Sequence, residues 1–114
     1  MDLSQQTSGA AAIASLNDEL RRSGRGGRIL VTQGVSSLAS FNVGELTSAI
    51  AAYSRFDVDN DPNGEHDFGI FEVFGAKLMW KIDYYDLDLE FGSENPADPN
   101  VTVRVLTVML PREY

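Results

Sequence analysis

In the stretch 77–85, Leu78, Trp80, Ile82 and Tyr84 alternate with Lys77, Met79, Lys81 and Asp83. A period of two sends successive side chains to opposite faces of a strand, so this segment predicts a sheet with one core face and one largely wet face. Residues 68–73 read as the strand before it, with Phe74, Gly75 and Ala76 as the turn. Leu87, Leu89 and Phe91, alternating with Asp88 and Glu90, extend the pattern into a third strand. Three consecutive strands with short connections predict an antiparallel meander.

Elsewhere the period is helical. Residues 10–22 are rich in helix formers, with Ile13, Leu16 and Leu20 on one face, and the polar residues 1–9 are expected to be disordered. The glycines at 24, 26 and 27 end that helix, and Ile29, Leu30 and Val31 build a short strand. Arg21, Arg22, Arg25 and Arg28 surround the break, where cations favour a helix C-terminus. Asn42 and Glu45 form a capping-box pattern ahead of a stripe of Val43, Leu46, Ile50 and Tyr53. Asp98 and Pro99 supply an N-cap and a first-turn proline, so 101–110 is expected as a helix, although its valines and threonines also suit a strand. The fold class expected is α+β: one domain over 10–114, an antiparallel three- to four-stranded sheet packed against two or three helices. A chain of 114 residues is long enough for one such core.

Charge is concentrated rather than spread. Between Asp57 and Asp98 twelve acidic residues face only Lys77 and Lys81, within a chain of net charge -8. Duplex-binding proteins carry the opposite balance, so direct nucleic-acid binding is not expected. There are no cysteines, which removes disulfides, thiolate metal sites and cysteine nucleophiles. The N-terminal residues lack a basic region and an apolar core, and no stretch reaches the ~20 apolar residues of a membrane span. A cytoplasmic location without membrane contact is the expectation.

Within the acidic stretch, Asp59, Asp61, Asn63, Gly64, Glu65 and Asp67 imitate the first half of a calcium loop. The bidentate acid such a loop needs at its twelfth position is here Ile70, so a turn rich in Asx hydrogen bonds is expected ahead of a calcium site. His66 is the single histidine, set between Glu65 and Asp67. It admits a general-acid role, a share in a transition-metal site with Glu65, Asp67 or Asp83, or a plain turn histidine bonded to a carboxylate. No nucleophile elbow is present, and the glycines at 24–27 precede a strand and lack the ending of a phosphate loop. Tyr85 falls on the wet face beside Lys81 and Asp83, where it either anchors an interface or covers the sheet edge.

Asp59-Asn60-Asp61-Pro62, Gly64-Glu65-His66-Asp67-Phe68-Gly69, Trp80-Lys81-Ile82-Asp83-Tyr84-Tyr85-Asp86, Gly92-Ser93, Pro96-Ala97-Asp98-Pro99 and Arg104-Val105-Leu106-Thr107 occur in this order. Together they resemble an uncharacterised bacterial family, a domain of unknown function (DUF3768), over roughly residues 14–114. The resemblance implies a small bacterial protein of the kind carried on plasmids, prophages and other mobile elements; it transfers no catalytic residue. The family commonly has an aromatic where this chain has Asn63, which counts against the calcium reading.

Three uses of the acidic stretch follow. The first is a non-catalytic binding protein without cofactor, whose carboxylates occupy a basic surface of a protein partner; on a mobile element this would be an inhibitor of a host defence system, an anti-CRISPR or anti-restriction mimic of nucleic acid. Its candidate binding residues are Asp59, Asp61, Glu65, His66, Asp67, Asp83, Tyr85, Asp86, Asp88 and Glu90. The second is a small metal-dependent enzyme or metal-binding domain built on the loop of Asp59, His66 and Asp67. The third is self-association through a sheet edge, giving a homo-oligomer. Residues 57–67 read as a loop that can converge on a point and 83–98 as decoration of a face, so the choice depends on whether the two parts meet.

Overall fold

The structure, a computed structural model, describes the backbone of residues 3–114 and side chains from Gly9 onward. The disordered terminus expected over 1–9 lies, but for its last residue, outside the fully described residues. The elements are α1 (Leu3–Ser23), β1 (Gly27–Val31), α2 (Gln33–Ser36), α3 (Val43–Ala52), β2 (Phe68–Val73), β3 (Ala76–Tyr85), β4 (Val103–Met109) and a closing 3₁₀ turn, Pro111–Glu113. The strands form one sheet in the order β1-β4-β3-β2.

The alternation in β3 holds. Leu78, Trp80 and Ile82 are buried on the face that carries the core, and Phe71, Val108 and Leu106 stand across from them on β2 and β4. Leu20 of α1, Val35 of α2 and Leu46, Ile50 and Tyr53 of α3 close over that face. On the other face Lys77 is exposed and Lys81 and Asp83 are partly so, but Met79 is buried. The β2–β3 hairpin turns on Phe74 (φ 58) and Gly75 (φ 68), the doubly left-handed turn that matches the twist of its strands. Gly69 is required by close approach: a Cβ there would stand 2.5 Å from Trp80 Nε1 and 2.6 Å from Tyr53 Cζ. Asn42 caps α3 as its sequence predicts, its Oδ1 accepting from Glu45 N–H at 2.9 Å.

Three expectations are corrected. Residues 101–110 are not a helix; β4 occupies them as an inner strand, antiparallel to β3 and parallel to β1. Asp98 instead accepts from Asn100 N–H at 2.9 Å, an Asx turn rather than a helix cap. Consequently the sheet is mixed, not purely antiparallel, and no three-strand meander exists. The third meander strand is likewise absent. Asp86 Oδ1 accepts from Glu90 N–H and Asp86 N–H donates to Phe91 O, which curls 86–91 into a turn with Leu87 and Phe91 exposed. A local side-chain acceptor thus outcompetes a ladder whose place beside β3 is taken by β4.

Candidate functional site

Strand directions decide whether the two acidic parts meet. β3 ends at Tyr85 opposite Val103, where β4 begins, and β2 begins at Phe68 opposite Lys81. The loop 57–67 enters β2 and the loop 86–102 leaves β3, so both emerge at the same end of the sheet. The contact is close: Ile82 N–H donates to Asp67 O at 2.8 Å, and Asp67 lies within electrostatic reach of Glu65, Asp61 and Asp83. Burial first, and then the Glu65 charge, hold the Asp67 carboxyl above the usual carboxylate range.

The loop 57–67 is held by its own carboxylates. Asp57 Oδ1 accepts from the N–H groups of Asp59 and Asn60 at 2.9 and 3.0 Å, and buried Asp61 Oδ1 accepts from those of Glu65 and His66, both at 3.1 Å. This is an Asx-bonded turn. Of the oxygens that a calcium loop would aim at an ion, Asp61 Oδ1 is committed to backbone amides and Glu65 Oε1 to Tyr84, and among the described residues no three His, Asp or Glu groups are placed to share a metal ion. Asp59 is exposed.

His66, at φ 55, is partly buried. Nδ1 stands 3.0 Å from Asp18 Oδ1, Nε2 3.7 Å from Asp61 Oδ2, and the ring stacks on Phe56 at 4.0 Å and 6°. Both nitrogens face carboxylates of the fold, so the ring latches the acidic loop to α1. Asp18 also receives Arg21 Nη2 at 2.9 Å. Burial works against its charge, but the bonds from Arg21 and His66 outweigh burial and hold its carboxyl below the usual range.

Arg21 is buried in turn. Its Nη1 donates to the carbonyls of Ile50, Ala51 and Tyr53 at 3.1, 3.1 and 2.8 Å, and the guanidinium lies 5.4 Å over Phe56. Arg21 stands in the last turn of α1 as expected, and its guanidinium also caps the last carbonyls of α3. Arg22, Arg25 and Arg28 remain exposed around the break.

A second buried network anchors the other side of the acidic end. Asn17 Nδ2 donates to Glu65 O at 3.0 Å and to Tyr84 OH at 2.9 Å, while its Oδ1 accepts from Arg104 Nε at 2.9 Å. Tyr84 OH donates to Glu65 Oε1 at 2.9 Å. Arg104 lies 5.2 Å over the Tyr84 ring and donates through Nη2 to Pro96 O, tying the loop after β3 to β4. Burial pushes the Tyr84 hydroxyl far above its ordinary pKa and lowers that of Arg104.

The sequence-derived residues therefore divide. Asp61, Glu65 and His66 fasten the loop; Asp83 pairs with Lys81 at 2.7 Å, and this bond is the main cause of the raised Lys81 pKa. Tyr85 is half-buried and bridges Gly92. Asp59, Asp88 and Glu90 are exposed, with Asp67 and Asp86 partly so; Asp67 and Asp86 flank the end of the sheet where β2 begins and β3 ends. Sequence reasoning missed Asn17, Asp18, Arg21, Tyr84 as a hydrogen-bonding group, and Arg104. The available signal was a polar residue at a core-facing position: Asn17 in register with Ala14 and Leu20, Arg104 with Leu106 and Val108.

Residues 31–113 match the family described as "Protein of unknown function (DUF3768)", and the chain belongs to this family. Asn17, Asp18 and Arg21 precede the matched region. No curated protein and no solved structure matches the chain. No helix among the described residues is long and apolar enough to cross a membrane.

Proposed function

We propose that this protein is a non-catalytic binding protein whose acidic sheet end docks on a basic surface of a protein partner. The observation that carries the reading is the shared exit of both acidic loops at one end of the sheet, with Asp59, Asp88 and Glu90 exposed on those loops. The inner carboxylates are spent on holding that end rigid, and a rigid set of outward charges loses little entropy on binding. On the mobile-element setting implied by the resemblance, the partner is a nucleic-acid-binding effector of host defence, a CRISPR or restriction nuclease, and the carboxylates stand where phosphates would.

The test is competition. The protein is titrated into complexes of candidate defence nucleases with labelled duplex DNA. Displacement of the duplex, weakening as salt rises, is the expected result. Failure to displace duplex from any of them at low salt, even in large excess, would remove the proposal.

A further inference from the structure

In the acidic loop 57–67, Asn63 is followed by Gly64. The side-chain amide of an asparagine is an electrophile at Cγ, and the backbone nitrogen of the next residue can close a five-membered ring on it. A side chain on that next residue crowds the ring, so glycine is the neighbour that favours it. Of the six asparagines only Asn63 precedes a glycine; Asn95 precedes Pro96, which has no N–H to lose, and Asn100 precedes branched Val101.

The fold makes the same selection. Asn60 is held at both ends of its amide, accepting from Asp57 N–H at 3.0 Å and donating to Arg55 O at 2.6 Å, and the amides of Asn17 and Asn42 are engaged as well. The Asn63 side chain is exposed and makes no hydrogen bond among the described residues. Gly64 is exposed at φ 68, and a Cβ placed on it would meet nothing within 4 Å, so the ring has room. One bond opposes the attack: Gly64 N–H donates to Asp61 O at 3.1 Å across the turn centred on Pro62 and Asn63. That turn lies at the surface, where it opens locally without unfolding the sheet.

We propose that Asn63 is a site of spontaneous deamidation in the folded protein. Gly64 N, its proton lost to solvent base, attacks Asn63 Cγ. The new C–N bond closes a succinimide, and the side-chain nitrogen takes up a proton and leaves as ammonia. Water then opens the ring. Attack at Cγ breaks the bond from Cγ to the ring nitrogen and gives aspartate; attack at the main-chain carbonyl breaks the other bond and gives isoaspartate. Either product adds one negative charge to the -8 of the chain. Isoaspartate also lengthens the main chain by one methylene just before Glu65 and His66, whose N–H groups Asp61 Oδ1 holds. The reaction needs no partner and no catalyst, so the inference is independent of the proposed function.

The test follows the native protein over days in mildly alkaline buffer, below its melting temperature, by isoelectric focusing and by mass spectrometry of its peptides. A band one charge more acidic than the parent is expected, with the mass gain of an amide-to-acid exchange confined to the peptide that holds Asn63. Its rate is expected to rise about tenfold per pH unit, because the attacking form of Gly64 N is the deprotonated one. Asn63→Gln, whose ring would need a sixth member, keeps the parent band, and Asn63→Asp starts at the acidic position. Position 63 is exposed, so both variants retain the fold, as circular dichroism would check. A native protein that keeps its parent band under conditions that deamidate the urea-unfolded chain overturns the proposal. An acidic band that forms as fast in Asn63→Gln overturns it as well.

Discussion

Arg21 and Asp67 show how single residues trade stability for the shape of the acidic end. Arg21 satisfies three carbonyls of α3 while neutralising Asp18, so Arg21→Met leaves a half-buried carboxylate and a bare helix end. The expected loss is about 3 kcal/mol in chemical denaturation at neutral pH. Asp67 works in the opposite sense. Its carboxyl is raised in the folded protein, so the folded state holds the proton more tightly than the unfolded one, and folding stability falls as pH rises through the carboxylate range. Asp67→Asn removes that cost: a higher melting temperature is expected near pH 7, with the gain gone by about pH 3, where the wild-type carboxyl is protonated in both states. A gain of equal size at both pH values would contradict the assigned cause. None of the inner residues was legible individually, because their partners are remote. Arg104 meets Asn17 across 87 positions and Arg21 meets Ile50 across 29, and no local pattern encodes such a pairing.

At the level of elements, legibility followed burial. β3 has one core face and one wetter face, and its alternation shows through the sequence. β4 lies inside the sheet with Val105, Leu106, Val108 and Met109 all buried, so it lacks the polar half of the alternation, and the remaining valine spacing imitates a helix. The turn 86–91 failed in the reverse direction: its alternation is real in sequence but buries nothing. Leu89 therefore sits in a left-handed conformation without return. Leu89→Asn, with a short polar side chain that tolerates that region, is expected to stabilise the monomer by up to about 1 kcal/mol in denaturant titration at low concentration. A loss of stability would mean that Leu89 packs within its own chain.

For the whole molecule, the architecture turns a charge bias into a directed surface. The acidic stretch and the hairpin that returns β3 along β2 were evident in the sequence, but the turn that keeps 86–91 at that end, where a third strand was expected, was not. The helices cover one face of the sheet, and the two loops carry the charge beyond its end. The measurement that tests this account most directly is the dissociation constant for a basic defence nuclease across a salt series, with each loop neutralised separately. Asp57→Asn with Asp59→Asn changes one loop, and Asp86→Asn with Asp88→Asn changes the other. If the two loops act as one surface, each pair weakens binding and reduces its dependence on salt, because each removes charge from the same contact. Tight binding that neither pair affects and that salt leaves unchanged would contradict the account.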